Sequence, residues 1–389
     1  MITSAPWKTV PMGELCSIES GASDTKDAVP DGPYAFFDRS KTIKRSTRYL
    51  YDCEALIIPG EGAEFLPKQF SGKFDLHQRA YALFNFRTEL SIRFLFHYLH
   101  HRADYFPSVA VGATVKSLRR RHFVQLPVPV PPLPEQRRII AILDEAFAAI
   151  ATAKANTEKS IQNAREVFES DLASIFTTRG PNWRMRKLAE VSVAFGRGKS
   201  RHRPRNEPSL YGGKYPFVQT GDVRNAVDVI ETYTQTYSEK GLAQSKLWPK
   251  GTVCITIAAN IAESAILGFD SCFPDSIIGA VPDTNETSSE FLLFLIQSFK
   301  AHLQAQGKGS AQHNINMGTF EDQSFPFPPL DEQAAIVKRL LRLREESSTL
   351  SDIAHRKLAA LDALKASLLH HAFTGHLANA RTERAVATA

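Results

Sequence analysis

Between Gly196 and Arg205 the sequence reads GRGKSRHRPR, with Arg197, Lys199, Arg201, Arg203 and Arg205 at alternate positions, His202 among them and no acid before Glu207. Glycine and proline keep such a run out of regular helix, and alternating guanidinium groups on a loop can be laid along phosphates or into a groove. A solvated charge run is the plainer alternative, but cations this dense are costly to hold without a counter-charge. Lys41, Lys44, Arg45 and Arg48 form a weaker basic cluster, and Arg119, Arg120 and Arg121 beside His122 form another. Reading base edges needs hydrogen-bonding side chains on a fixed platform. Gln219, Thr220, Arg224 and Asn225 are candidates, as are Gln312, His313 and Asn314. Each of these could equally be a turn-former or a backbone cap.

The sequence shows none of the short signatures of catalysis. It has no G-x-x-x-x-G-K-[ST] or G-x-G-x-x-G phosphate loop, no H-E-x-x-H, no G-x-S-x-G elbow and no Asn/Asp-Pro-Pro-aromatic run of an amino-methylating enzyme. His100-His101 and His370-His371 are adjacent pairs, which point in different directions on a helix. Cys16, Cys53, Cys254 and Cys272 show no zinc-ligand spacing and read as reduced thiols of a cytoplasmic protein. No catalytic residue and no metal site is therefore expected. No apolar run reaches the roughly 18 residues needed to span a bilayer, and no signal peptide is recognisable. The net charge of +6 and pI near 9.0 favour a polyanionic partner.

The elements that must carry these residues are duplicated. VPPLPEQ (Val130 to Gln136) opens a helical pattern running to Phe176, and FPPLDEQ (Phe327 to Gln333) opens another running to Phe373. Pro131, Pro132, Leu133, Glu135, Gln136 and Ile139 recur 197 positions later as Pro328, Pro329, Leu330, Glu332, Gln333 and Ile336. Consecutive prolines impose an extended approach, and Pro134 suits the first helical turn, where its missing N–H costs nothing. The first apolar seam is Ile139, Leu143, Ala146, Ile150, Ala153, Ile161, Ala164, Phe168, Leu172 and Ile175; Thr157 interrupts it. The second is Ile336, Leu340, Leu343, Leu350, Ala354, Leu358, Leu361, Leu364 and Leu368. Spacings of three and four predict that each helix packs on a long helical partner.

The globular segments repeat too. WKTVPMGEL from Trp7 aligns with WRMRKLAEV from Trp183 at an offset of 176, while Phe94 and Phe291, Gly112 and Gly309, and Phe176 and Phe373 align at 197. The second globule therefore carries about 21 extra residues before the strand at Ile277. Tyr34 to Phe37, Ala55 to Ile58 and Arg79 to Phe86 read as strands, followed by an amphipathic helix from Thr88 to Tyr105 that Thr88 or Ser91 could cap. Lys187 to Phe195, Tyr215 to Val218, Val253 to Ile257, a stretch near Ile266 and Ile277 to Val281 read as strands of the second globule. A helix from Phe291 to Leu303, with Ser288 or Ser289 as cap, follows them. The fold class is a mixed α/β chain of two tandem globules, each followed by a long helix. The boundaries are 1–132, helix 133–178, 179–328, helix 329–377, and a frayed tail 378–389.

These segments resemble the specificity subunit of Type I restriction–modification systems. PPLPEQRRIIAILD and PPLDEQAAIVKRL look like the start of each spacer helix of that family; YPFVQTGDV (Tyr215 to Val223) is similar to its strand and turn early in a recognition domain. GTVCITIAAN (Gly251 to Asn260) resembles its buried strand and turn, with Ala258 and Ala259 where glycine is common. GSAQHNINMGTF, GKFDLHQRAYAL and LLHHAFTGHL resemble further family segments, and the likeness covers nearly the whole chain. It implies two target-recognition domains, each reading half of a split double-stranded DNA sequence. It implies two long antiparallel helices that hold the domains apart and dock two methyltransferase subunits. Those partners bind S-adenosylmethionine and methylate adenine; restriction and translocase subunits add ATP- and Mg-dependent work. This chain binds no cofactor of its own and catalyses nothing. From the two seams, the expected pairing residues are Ile139, Leu143, Ile150, Phe168, Leu172, Ile336, Leu340, Leu343, Leu361 and Leu368. Three other readings stay open at this point: the specificity chain of a smaller system with a fused methyltransferase–nuclease, a coiled-coil scaffold carrying two ligand-binding globules without DNA, and a nuclease with a degenerate motif.

Overall fold

A computed structural model describes residues 7–201, 204, 206–258, 261–308 and 317–378. Its strands run in chain order as β1 Thr9–Pro11, β2 Ser17–Ser20, β3 Tyr34–Phe37, β4 Lys44–Ser46, β5 Tyr51–Pro59, β6 Lys68–Leu76, β7 Ala80–Phe84, β8 Pro127–Pro129, β9 Arg184–Lys187 and β10 Ser192–Arg197. They continue as β11 Tyr211–Phe217, β12 Val229–Ile230, β13 Gln235–Tyr237, β14 Leu247–Trp248, β15 Val253–Thr256, β16 Ser264–Leu267, β17 Ser271–Cys272, β18 Ile277–Pro282 and β19 Ser324–Phe327. The α-helices are α1 Ile92–His101, α2 Tyr105–Val109, α3 Arg120–Val124, α4 Leu133–Thr177, α5 Thr220–Asn225, α6 Glu239–Ala243, α7 Ser289–Lys308, α8 Met317–Asp322 and α9 Leu330–Phe373. The chain forms two compact units, one from the residues up to Glu158 together with those from His355, the other Lys159–Ala354.

The first unit is built on a six-stranded sheet in the order β2-β7-β5-β6-β3-β4, antiparallel except where β3 meets β6. Side chains alternate across a strand, and here both faces are buried. Leu56, Ile58 and Leu83 join Phe94, Leu95, Leu99 and Phe123 on one side. Ala55, Ile57 and Ala82 join Phe37 and Phe74 on the other. The expected single helix from Thr88 to Tyr105 is instead α1 and α2, divided by a turn at Arg102 that leaves helical geometry (φ −97°, ψ 31°). The side chain of Ser91 makes no cap bond. Strands β4 and β6 give no clear strand signal in the sequence, because their charged and polar residues hide the apolar alternation.

The second unit repeats this plan. Its main sheet runs β10-β18-β15-β16-β12, with β12 parallel to β16, so β10, β18, β15 and β16 stand where β2, β7, β5 and β6 stand in the first. Leu56 faces Leu83 in one sheet and Val253 faces Ala280 in the other, both pairs displaced by 197. The extra residues therefore fall between β10 and β15. They contribute to a stretch holding α5, β13 and α6, and to a second sheet in the order β13-β11-β17-β14. The expected strand Lys187 to Phe195 is β9 and β10 separated by a 3-10 turn over Leu188–Val191. Ser288 Oγ accepts the Phe291 N–H at 3.1 Å and so caps α7. Near the turn after β15 the strained residue is Ala262, buried at φ 60°, a left-handed conformation that costs an alanine more than a glycine; Ala259 and Asn260 lie outside the described residues.

Each unit contains lengths of both long helices, and these run antiparallel. In the first, Ile139 and Leu143 of α4 share a core with Phe373 and Leu369 of α9, and Lys154 forms an ion pair with Asp362. Phe373 packs its ring 5.2 Å from Phe94 and 5.3 Å from Tyr98. In the second, Leu172 and Phe176 share a core with Leu340 and Ile336, and Arg339 forms an ion pair with Asp171. Of the expected pairing residues, Ile139, Leu143, Ile150, Leu172, Ile336 and Leu340 are buried, while Phe168, Leu343, Leu361 and Leu368 are half-buried. Two positions of the expected second seam are exposed, Leu350 at 55% and Leu364 at 47%. Near the end of α9 the buried positions are Leu369, Ala372 and Phe373, one step round from the expected Leu368. Thr157 belongs to the seam after all. It is buried, and its hydroxyl is satisfied by the Ala153 carbonyl at 2.7 Å.

The repeated glutamine explains why the helix-opening sequence recurs. Gln136 is buried; its Nε2 donates to the carbonyls of Glu89 (2.7 Å) and Pro131 (2.8 Å), and its Oε1 accepts the Ser91 N–H (2.8 Å). Gln333 donates to the carbonyls of Glu286 (2.9 Å) and Pro328 (3.0 Å) and accepts from the Thr287 hydroxyl (2.8 Å). One side chain thus ties the proline run, the start of the long helix and the start of the preceding helix. The small sheets β1-β8 and β9-β19 bring the beginning of each globule to the same place. Gln136→Ala leaves one buried and two part-buried backbone groups without this partner and is expected to cost on the order of 1–3 kcal/mol. Urea unfolding of the variant checks this; an unmoved midpoint would show that the clamp is dispensable.

Candidate nucleic-acid interface

The basic run begins on a strand and continues as a pinned strip. β10 ends at Arg197, so the expected loop starts one residue later than its first cation. Gly198 is buried, and its N–H donates to the Ile277 carbonyl at 2.9 Å. A Cβ there would lie 2.2 Å from the Phe273 oxygen, so only glycine allows the approach. Ser200 is buried too, which leaves Arg197, Lys199 and Arg201 exposed at alternate positions. Ser245 Oγ donates to the Lys199 carbonyl (2.8 Å), and the Arg201 N–H donates to Gln244 Oε1 (2.6 Å). Arg197 Nε donates to the Asp275 carbonyl at 2.6 Å. Among the described residues, no carboxylate lies within ion-pair range of these three side chains. Arg203 and Arg205 lie outside the described residues, as do Gln312, His313 and Asn314.

A further cation, isolated in the sequence, joins the strip. Lys246 Nζ lies 3.5 Å from the centroid of the Trp248 ring. Burial first, and then the charge of Lys199, hold its pKa below the usual lysine value. Its isolation in the sequence, between Ser245 and Leu247, gave no signal.

Of the hydrogen-bonding candidates, Gln219, Thr220, Arg224 and Asn225 gather at α5, Gln219 capping its start. The Gln219 N–H donates to Asp222 Oδ2 at 2.8 Å, which fixes the first turn. Val223 is buried in the core with Ile230, Trp248 and Leu267. This anchors one face and leaves Arg224 and Asn225 exposed, with Gln219 and Thr220 half-buried.

In the first unit the basic cluster is largely spent on the fold. Lys44 Nζ lies 2.6 Å from the buried Asp38; burial works to raise that carboxyl, but hydrogen bonds from Lys44 and Ser40 hold it below its ordinary value. Arg45 donates to the Gly32 carbonyl (2.7 Å) and the Pro33 carbonyl (2.9 Å). Arg48 reaches Ser23 Oγ (2.8 Å), Asp27 (3.2 Å) and Asp75 (3.4 Å). Arg120 donates to the Ile18 carbonyl at 2.9 Å and lies 3.8 Å from Glu19. Lys41 stays exposed beside Glu64 at 3.3 Å, and Arg119 is exposed as well. Lys41, Arg39 and Lys68 line a groove of about 580 Å³ with Glu61 and Leu66.

Burial pushes the Cys16 thiol up to about 12 and raises that of Cys254 as well, so neither is a thiolate near neutral pH. Among the described residues no cluster of His, Cys, Asp and Glu is suited to hold a metal ion, and no helix is long and apolar enough to cross a membrane.

Comparison with known proteins follows the same division of the chain. Residues 5–163 and 181–355 each match the Type I restriction modification DNA specificity domain. The chain is 24% identical over 404 residues to the Type I restriction enzyme EcoDI specificity subunit of Escherichia coli, covering 95% of this chain and 88% of that one. Its fold is shared with a chain solved in work on complex assembly and conformational transition of the type I R-M system. The TM-score is 0.73 at 19% identity, covering 95% of this chain and 98% of that one. It is also shared with the HsdS subunit from Thermoanaerobacter tengcongensis, at a TM-score of 0.59 and 19% identity over 96% and 98%. Both halves of the duplicated architecture thus fall in one family, and the chain belongs to the Type I restriction–modification DNA specificity subunits.

Proposed function

We propose that the chain reads an asymmetric, bipartite sequence in double-stranded DNA, one half with each unit, and positions two methyltransferase subunits on it. The observation that carries this is the duplication. The same four-strand core and the same glutamine-clamped helix start occur twice, but the segments between β2 and β5 and between β10 and β15 differ in length and content. Similar scaffolds with different reading segments favour two unlike half-sites. The exposed strip of Arg197, Lys199 and Arg201 supports phosphate contact by the second unit, and α5 supports base contact by Gln219, Thr220, Arg224 and Asn225. In the first unit, Lys41 and Arg119 are better placed for DNA than Lys44, Arg45, Arg48 and Arg120, whose side chains already serve the fold.

On this reading the chain is the non-catalytic, cytoplasmic member of its complex. S-adenosylmethionine is held by the methyltransferase subunits; ATP and Mg belong to restriction and translocase subunits where these are present. The test is to express the chain with its methyltransferase and map methylated adenine across the host DNA. The expected result is a motif of two unlike blocks separated by an unread gap. A short continuous motif would overturn the proposal.

A further inference from the structure

Arg344 lies on α9 within the second unit, yet its side chain is largely enclosed. Its side chain is 18% exposed and forms an ion pair with Asp228, itself 23% exposed. The guanidinium carbon sits 4.6 Å from the centroid of the Phe168 ring of α4 and 4.7 Å from that of Phe294 of α7. Nη2 donates to Gln297 Oε1 at 2.7 Å. Burial pushes its pKa down to about 10, which keeps it charged at neutral pH. A single residue of the long helix therefore grips α4, α7 and the loop that joins α5 to β12.

Stability alone does not call for this arrangement. Apolar residues of similar volume commonly replace a buried ion pair at little cost or with a gain. A charge pair gives something else, one fixed registry between the groups it joins. Asp228 follows α5 by three residues, and its carbonyl accepts the Ile266 N–H at 2.8 Å, so the loop is held both to the sheet and to the helix. Among the described residues of the first unit, the matching position carries no such pair. The position 197 residues before Arg344 is Phe147, and Asp228 lies between β10 and β15, where the second globule is longer. There the helix instead offers Asp144 to Arg93 (2.7 Å) and to His97 (2.8 Å), both on α1.

We infer that Arg344 is a positioning residue for sequence discrimination: through Asp228 it sets α5 against the long helix, so that the second unit reads its half-site from a fixed platform. The inference rests on the DNA-reading function proposed above. Its test uses the complete chain bound to its methyltransferase, with Arg344→Leu and, approaching from the other partner, Asp228→Asn. Methylation rates are measured on the full site and on sites with single-base changes in either half. The half read by the second unit is assigned by crosslinking to residues 184–327. Both variants are expected to lose about tenfold in discrimination within that half, the scale of one or two base contacts, with discrimination in the other half unmoved. Unchanged discrimination in both halves, or an equal loss in both, overturns the inference. Should Arg344→Leu fail to fold, Asp228→Asn decides alone. A wild-type complex with no sequence preference overturns the DNA reading and this inference together, whereas a selective wild type with unmoved variants overturns only the inference.

Discussion

Replacing Arg197, Lys199 and Arg201 together by alanine is expected to flatten the salt dependence of DNA binding by two to three units of slope. Each phosphate contact contributes about 0.9 to the fall of log affinity with log salt on duplex DNA. Losing three of them shrinks the affinity drop between about 50 and about 200 mM salt by roughly 40-fold. The geometry makes this strip the strongest candidate of those described. Buried Gly198 and Ser200 alternate with the three exposed cations, and the backbone is held by Ile277, Ser245 and Gln244. A pinned strip meets phosphates without first losing the conformational freedom that a loose arginine-rich loop would lose. The fold should survive, because the side chain of Lys199 has no partner among the described residues and Arg197 gives up a single bond to a carbonyl. Titrations at several salt concentrations check the expectation. If the slope stays at its wild-type value, the strip faces solvent or another subunit. Arg45→Ala and Arg48→Ala should act the other way, weakening the first unit's fold through the Gly32 and Asp75 contacts with little effect on the slope.

Much of this arrangement was legible in the sequence because repetition carries information that local pattern does not. The gapless offset between the two helix-opening sequences gave both long helices. Proline chemistry placed their starts, and the structure begins them at Leu133 and Leu330. Short continuous apolar runs gave β3, the buried second half of β5, β15 and β18, and the stretch from Arg79 gave β7. The rest was hidden for identifiable reasons. β4 and β6 carry Lys, Arg, Gln and Ser, so their membership of the sheet is decided by cross-strand partners distant in sequence. Charge clusters do not reveal who neutralises them. Arg48 and Lys44 look like phosphate binders until Asp75 arrives from β6 and Asp38 from the bend after β3. The seam of α9 drifted because leucine is common on both faces of that helix; Leu350 and Leu364 match the rhythm yet are exposed. In the sequence Gln136 and Gln333 stand out only as members of a repeated motif; their work as buried clamps appears only when Ser91 and Thr287 are folded against them.

Lengthening both long helices by four residues, one insertion after Thr157 and one after Ala354, is expected to widen the unread gap of the proposed bipartite motif by one or two base pairs. Four helical residues add about 6 Å at 1.5 Å each, against about 3.4 Å per base pair. The places are chosen from the structure. α4 runs unbroken from Leu133 to Thr177 and α9 from Leu330 to Phe373, while the compact units divide at Glu158 in one helix and at Ala354 in the other. An insertion there leaves each unit's own seam intact: Ile139 and Leu143 keep Leu369 and Phe373, and Leu172 and Phe176 keep Ile336 and Leu340. Both helices must grow, since antiparallel partners of unequal length would lose that registry. The insertion also turns the helix by about 40°, four steps of roughly 100° less a full turn. Two added base pairs turn the duplex by about 70°, taking about 10.5 per turn. The two rotations are close enough for a modest twist to absorb the difference. Methylation of the original motif should fall by at least about tenfold, the cost of a misplaced half-site. The two blocks themselves should remain the same, because Arg224, Asn225 and the Arg197 strip lie far along the chain from either insertion. Mapping methylated adenine in cells carrying the lengthened chain decides it. Loss of all methylation by a folded chain, or retention of the original gap, would overturn the proposal that the helices set the spacing of the site.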